Sequence, residues 1–321
     1  MPLRIVFCGT PAFALPTLSH LIAQPDFQID AVITQPDRPR GRGHEVSSSP
    51  VKDAALEAGI AVYQPEKIKS ESAHNFFKRV SPDAVVIIAY GQIISQTLLD
   101  IPRLGWVNLH GSLLPKYRGA APINWAIVNG ETKTGVTTMQ VSAGLDTGTM
   151  LLKHETGIGP DETAPQLAAR LAEAGAPLVA ETLRTLDRGE ITPEPQDNSQ
   201  STLAPLLKKE DGRIDWSQPA QAIYNRIRGL QPWPGAFTTF RGKNCHVWGK
   251  PAANATALAL PGEITATVAT PPKPMQSNRL LVTCGADTAL EIEFVRLEGR
   301  KRVTAPEFSS GAHLTSSDRF V

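Results

Sequence analysis

Along the first half of the chain, short apolar runs alternate with stretches of helical spacing. Residues 3–8, 29–34, 60–63, 83–89 and 106–110 are nearly continuous apolar runs, the pattern of strands covered on both faces. Between them, residues 13–22, 51–58, 71–80 and 120–129 carry the spacing of helices. Pro16 and Pro122 fall in first turns, where proline is tolerated, and Gly59 and Gly130 suit C-terminal caps. Further strands are predicted at 134–141 and 149–154, separated by the turn Gly144-Leu145-Asp146-Thr147-Gly148. Residues 163–186 space Leu167, Leu171, Leu178 and Leu183 as in a helix, with an interruption expected at Pro177. This order predicts an α/β fold, a doubly wound and mostly parallel sheet of Rossmann-like type. No G-x-G-x-x-G follows the first strand, so a dinucleotide fingerprint is absent.

The texture changes after residue 190. Pro193, Pro195 and Pro205 lie among polar residues, the composition of a linker. Residues 219–229 read as a short helix, and from 236 onward come short alternating strands at 236–240, 244–248, 262–268, 280–283 and 290–297. Their spacing predicts a small C-terminal β-barrel of OB-like type. The expected domains are therefore 1–190, a linker at 191–207, and 208–321.

Composition adds little until it is divided. With 321 residues, 41% apolar and 20% charged, the chain suits two globular domains. Its start lacks the charged and apolar regions of a signal peptide, and no apolar run reaches the roughly 18 residues of a membrane span. Cys8, Cys245 and Cys284 are too few and too scattered for a disulfide framework or a zinc site, and a cytoplasmic protein is expected. The net charge of +1 conceals an asymmetry. Residues 1–204 hold 17 Lys and Arg against 21 Asp and Glu, and the remainder holds 15 against 10. A basic second half points towards a polyanionic partner.

Candidate chemistry centres on residues 108–119, NLHGSLLPKYRG. On a strand, Asn108 and His110 share one face with Trp106, and Gly111 to Pro115 turn the chain away beyond them. An amide, an imidazole and open backbone beyond a strand end suit acyl chemistry. A capping Asn108 and a satisfied core His110 would explain the same spacing. Asp146, bracketed by two glycines, is placed to face His110 and orient it, although such a residue also serves its own turn. Ala89, Tyr90 and Gly91 leave the preceding strand in a tight turn whose backbone could bond a planar heterocycle. Residues 35–50 hold Arg38, Arg40 and Arg42 without apolar periodicity, which suits either a solvated loop or a basic loop closing on phosphates.

The block Asn108-x-His110-x-Ser112-Leu113-Leu114-Pro115-x-Tyr117-x-Gly119, with Asp146 downstream, resembles the shared signature of folate-dependent formyltransferases. The arginine loop, the segment from Asp211 to Trp216 and the segment from Arg228 to Gly235 extend the resemblance over essentially the whole chain. They match the methionyl-tRNA formyltransferase family, whereas a glycinamide ribonucleotide enzyme would stop near the linker. The resemblance implies formyl transfer from 10-formyltetrahydrofolate, a co-substrate, to the amine of initiator methionyl-tRNA, by a monomer and without a metal. It implies catalytic roles for Asn108, His110 and Asp146. Ser112, Leu113, Leu114 and Pro115 would contact the folate, with Ala89, Tyr90 and Gly91 bordering its pterin. Arg38, Arg40 and Arg42, with Lys208, Lys209 and Arg213, would contact tRNA. Where the family commonly has two lysines after Arg42, this chain has His44 and Glu45, which lowers the charge there. Two alternatives stand beside this expectation. One is a formyltransferase or formyl hydrolase acting on a small amine or on the folate itself; the other is a non-catalytic RNA-binding protein.

Overall fold

The strand β1 (Leu3–Gly9) is buried at every position except Arg4, as a central strand must be when both faces are covered. The computed structural model describes residues 1–40, 45–253, 259–267, 279–315 and 317–321. Its chain forms two units, the first of Met1–Ile123, Lys133–Gly157 and Gln166–Pro205. The second is made of Asn124–Thr132, Ile158–Pro165 and Leu206–Val321.

After β1 come α1 (Leu15–Ile22), β2 (Phe27–Ile33), and a short antiparallel pair, β3 (Arg38–Arg40) and β4 (Glu45–Ser47). Next are α2 (Pro50–Glu57), β5 (Val62–Tyr63), α3 (Glu71–Val80), β6 (Ala84–Ile88), α4 (Gln96–Leu99) and β7 (Trp106–His110). Then follow α5 (Pro122–Val128), β8 (Lys133–Gln140), β9 (Met150–Gly157) and α6 (Ala164–Asp187). The seven-stranded sheet has the order β5-β2-β1-β6-β7-β8-β9. β5, β2, β1, β6 and β7 are parallel, and β8 and β9 add an antiparallel edge. The doubly wound, mostly parallel α/β fold is thus the one expected.

Packing beneath β7 sets the direction of its functional side chains. Trp106 is 1% exposed, lies 5.1 Å from the Phe77 ring of α3, and donates its indole N–H to Leu98 O at 2.9 Å. With Trp106 held there, Asn108 and His110 continue the same side towards the carboxyl end of the strand. On the other face Leu109 meets α6 at Gly175, where a Cβ would lie 2.4 Å from Leu109 Cδ2. The expected break at Pro177 does not occur, and α6 runs through it. Pro177 removes one helical hydrogen bond, a cost of about 3 kcal/mol in an unsupported helix. Buried Leu167, Leu171, Ala176, Val179 and Leu183 on both sides of it outweigh that loss.

The second unit contains α7 (Ala220–Gly229), β10 (Phe237–Phe240), β11 (Lys243–Pro251), β12 (Ile264–Thr267), β13 (Arg279–Thr283), β14 (Ala289–Leu297), β15 (Val303–Thr304) and α8 (Ala305–Ala312). Its antiparallel sheet runs β10-β11-β14-β13-β12, with β15 on β14. Residues 318–321 join the two edges. Thr239 and Val321 exchange two 2.9 Å backbone bonds on the β10 side, and Phe320 N donates to Gly262 O at 2.8 Å on the β12 side. This closure gives the expected small barrel and removes exposed edges. Arg241, at φ +45 in a two-residue turn with Gly242, grips Asp318 with bonds of 2.7 and 2.6 Å. Two excursions of the chain belong to this unit: Asn124 donates to Gly229 O, while Arg228 donates to Gly159 O and Glu162 O and Tyr224 donates to Asp161.

The Arg241 guanidinium, with the Thr315 amide and hydroxyl, draws the Asp318 carboxyl down from its ordinary value to about 2. A carboxyl depressed by folding stabilises the folded state above its unfolded value and loses that contribution as pH falls through the folded one. Asp318→Asn is therefore expected to lower the melting temperature at neutral pH by a few degrees. It should also reduce the loss of stability between pH 4 and 2. Melting of both forms across that range, followed on the second unit by Trp216 and Trp248 fluorescence, checks this.

Candidate active site

β7 ends where its neighbours supply the walls of a site. Its parallel neighbour β6 pairs Ile87 with Asn108, so Ala89 to Gly91 emerge beside the last residues of β7. Its antiparallel neighbour β8 pairs Met139 with Asn108 and Thr137 with His110. The carboxyl ends of the parallel strands β6 and β7 lie on the edge of the sheet where doubly wound folds place ligands.

His110 is 6% exposed, and Nε2 lies 2.8 Å from Tyr117 O. A carbonyl only accepts, so Nε2 carries a proton and donates it there. That leaves Nδ1 as the working nitrogen, and it faces Asp146 Oδ2 at 3.7 Å. The separation exceeds a hydrogen bond and leaves Nδ1 open to a further partner. Asp146 Oδ2 accepts from Gly119 N at 2.9 Å, which aims the carboxylate without using Oδ1. Asn108 is partly buried, and its amide has no hydrogen-bond partner among the described residues. The structure therefore brings Asn108, His110 and Asp146 to one strand end.

Three residues around this point hold left-handed backbone without being glycine: Ala89 at φ +48, Tyr117 at +61 and Asp146 at +50. Each such conformation costs on the order of 1–3 kcal/mol and persists only when neighbouring contacts impose it. The contacts come partly from the stretch expected as linker, which is hydrogen-bonded to the first unit. Thr202 Oγ1 accepts from Tyr117 N at 2.8 Å, Thr202 O accepts from Arg118 N at 2.8 Å, and Ala204 N donates to Arg118 O at 2.7 Å. Gly119, at φ +122, passes Ala204 so closely that a Cβ would lie 2.6 Å from its carbonyl oxygen.

The turn Ser112 to Pro115 is braced by Thr137, whose hydroxyl donates to Ser112 O at 2.7 Å and accepts from Leu114 N at 3.2 Å. Ser112 donates its hydroxyl to Lys116 O, and Leu114 is buried with Met139 and Met150. Leu113 and Pro115 are partly exposed and furnish the accessible part of this turn. In the β6 turn, Ala89 and Gly91 are exposed, whereas Tyr90 is 2% exposed and its ring lies in the core. Tyr90 O accepts from Gln35 Nε2 at 2.8 Å. Gln64 Nε2 bonds both Gln35 O and Asp37 Oδ1 at 2.9 Å, and Lys52 pairs with Asp37. The root of the arginine loop is thereby tied to the turn at the site. Spacing did not single out Thr137 or these glutamines, because each is an ordinary polar residue in its run.

Arg38 is exposed on β3, the backbone of Arg40 ends that strand, and Arg42 lies outside the described residues. Lys208, Lys209 and Arg213 are exposed on the second unit. On its β11–β14 face, Arg302 covers the rings of Phe294 at 3.8 Å and Trp248 at 4.5 Å, with Arg296 at 5.8 Å from Trp248. Among the described residues, no cluster of three or more His, Cys, Asp or Glu is placed to hold a metal ion, and no helix is long and apolar enough to cross a membrane.

A strand-end amide, imidazole and carboxylate are a chemically suitable set for acyl transfer, and the fold around them is that of the formyltransferase class. The family model described as formyl transferase matches residues 3–183, and that described as formyl transferase, C-terminal domain, matches residues 206–313. Within that class, the chain belongs to the methionyl-tRNA formyltransferase family. A methionyl-tRNA formyltransferase of Solibacter usitatus is 54% identical over 317 residues, covering 99% of this chain and 98% of its own. Another, from Geobacter metallireducens, is 48% identical over 312 residues, covering 97% and 96%. Among solved structures, the sugar 3N-formyl transferase WlaRD shares the fold at a TM-score of 0.67 and 18% identity, over 94% of this chain and 100% of its own. Glycinamide ribonucleotide transformylase 1 of Symbiobacterium toebii, at a TM-score of 0.51 and 19% identity, covers 61% of this chain and 95% of its own.

Thr137→Val keeps the shape of the side chain but leaves Ser112 O and Leu114 N buried without their partner. A stability loss of about 1–3 kcal/mol is expected, measured by urea unfolding.

Proposed function

We propose that this protein transfers a formyl group from 10-formyltetrahydrofolate to the α-amine of methionine esterified to initiator tRNA, as a cytoplasmic monomer serving translation initiation. The observation that carries the reading is the Asn108 amide, unpartnered among the described residues, beside a His110 whose Nδ1 faces Asp146. Family membership supplies the substrate class. An exposed Ala89–Gly91 backbone next to that amide fits a planar heterocycle bearing a formamide-like carbonyl.

Attack of an amine on such a carbonyl builds negative charge on its oxygen. Asn108 Nδ2 and the Nδ1 proton of an imidazolium donate to that oxygen, a role worth about 3–4 kcal/mol per donor in related sites. Asp146 stabilises the imidazolium and, through its second oxygen, accepts the amine proton directly or by way of a water. Collapse of the tetrahedral intermediate breaks the bond from the formyl carbon to the folate nitrogen, which takes up that proton and leaves as tetrahydrofolate. Leu113 to Pro115 supply the wall on the folate side, and Ala89 to Gly91 border the pterin. Arg38, Arg40 and Arg42, with Lys208, Lys209 and Arg213, bind tRNA phosphates. Arg296 and Arg302, over the rings of Trp248 and Phe294, add positive charge to the second unit.

Incubation with 10-formyltetrahydrofolate and either methionyl-initiator tRNA or a small amine tests the reading. Formylation of the tRNA is expected; transfer to the small amine alone, or hydrolysis of the folate, contradicts it. His110→Ala and Asp146→Ala are expected to lose turnover by at least about 10²-fold while tRNA affinity, measured by filter binding, persists. Arg42→Ala should instead raise the KM for tRNA, and affinity of the wild-type protein should fall steeply with salt.

A further inference from the structure

The carboxylate that faces His110 is held in place from outside its own turn. Gln196 Nε2 donates at 2.8 Å to both Asp146 O and Gly148 O, the carbonyls of the residues that flank Thr147. Gln196 Oε1 accepts from Arg118 Nε at 2.9 Å, and Arg118 donates a second bond at 2.9 Å to Asn198 Oδ1. Arg118 is 7% exposed, and the peptide on its amino side carries Tyr117 O, the acceptor of His110 Nε2. One amide and one guanidinium therefore connect the loop that fixes the imidazole to the loop that presents the carboxylate.

We infer that Gln196, with Arg118, is a positioning pair that sets Asp146 against His110. The inference rests on the catalytic reading of those two residues and adds the groups that fix their separation. Asp146 sits at φ +50, and Gly148 leaves no room for adjustment, since a Cβ there would lie 1.6 Å from Gln140 O. Without the bond from Gln196, the Asp146 carbonyl has no other hydrogen-bond partner among the described residues, and the 3.7 Å gap to Nδ1 widens. Both residues lie outside any strand or helix; Arg118 falls within the 108–119 block, whereas Gln196 comes from the proline-rich stretch after α6. A shift of about 1 Å in a catalytic group is enough to cost on the order of 10²-fold in rate.

Gln196→Glu separates positioning from stability. The carboxylate keeps the Arg118 contact and strengthens it by charge, but donates nothing to the Asp146 and Gly148 carbonyls. The expected result is a melting temperature near that of the wild type, kcat lower by about 10–100-fold, and KM values for folate and tRNA within about threefold. Unchanged kcat would overturn the inference, and so would kcat, KM and melting temperature all worsening together. Should the buried charge prevent folding, Gln196→Met gives the same reading, because it fills the space without donating. Asp146→Asn completes a double-mutant cycle. If Gln196 acts through Asp146, the double variant is no slower than Asp146→Asn alone, whereas multiplied losses contradict it. Full turnover of Asp146→Asn would instead refute the catalytic reading itself, a failure distinct from that of Gln196.

Discussion

The hydrogen bond from His110 Nε2 to Tyr117 O decides what the rest of the site can do. It spends one nitrogen of the imidazole on the protein and leaves the other directed at Asp146. That bond exists only if Tyr117 is held at φ +61, which an aromatic residue does not adopt without restraint. The restraint comes from Thr202 and Ala204, so residues far along the chain fix the tautomer of a histidine on β7. Gly119 is the residue that permits this approach, and its N–H in turn aims Asp146. Imidazole orientation and carboxylate direction are two consequences of one packed crossing of backbone.

Much of the fold was legible because its signals are local. Residues 71–80 carry helical spacing between Ser70, whose hydroxyl caps the helix, and basic residues in the last turn, and the helix spans those residues. β7 likewise spans the expected 106–110. Pro177 misled because proline's cost is local, whereas the burial that overrides it is collected along the whole of α6. Closure of the barrel by residues 318–321 was not legible, since each of its bonds joins residues more than fifty positions apart.

At the site the same division holds. Asn108 and His110 announce themselves by a two-residue spacing at the end of an apolar run, and Asp146 by its flanking glycines. Thr137 does not, because a threonine in a strand is ordinary until its hydroxyl is seen to bond Ser112 O and Leu114 N. Gln196 reads as linker composition until its amide is found between two carbonyls of the Asp146 turn. Side chains that perform chemistry are distinctive in type, whereas those that position them are distinctive only in where the fold puts them.

With Tyr117 O as its acceptor, Nε2 of His110 carries its proton whatever the charge of the ring, leaving Nδ1 as the nitrogen open to gain or lose one. Long-range proton–nitrogen NMR on protein labelled with 15N at histidine tests this most directly, with His110→Asn used to assign the signal. A protonated Nε2 throughout a pH titration, with the chemical-shift change confined to Nδ1, is the predicted result. A neutral ring protonated at Nδ1 would contradict it.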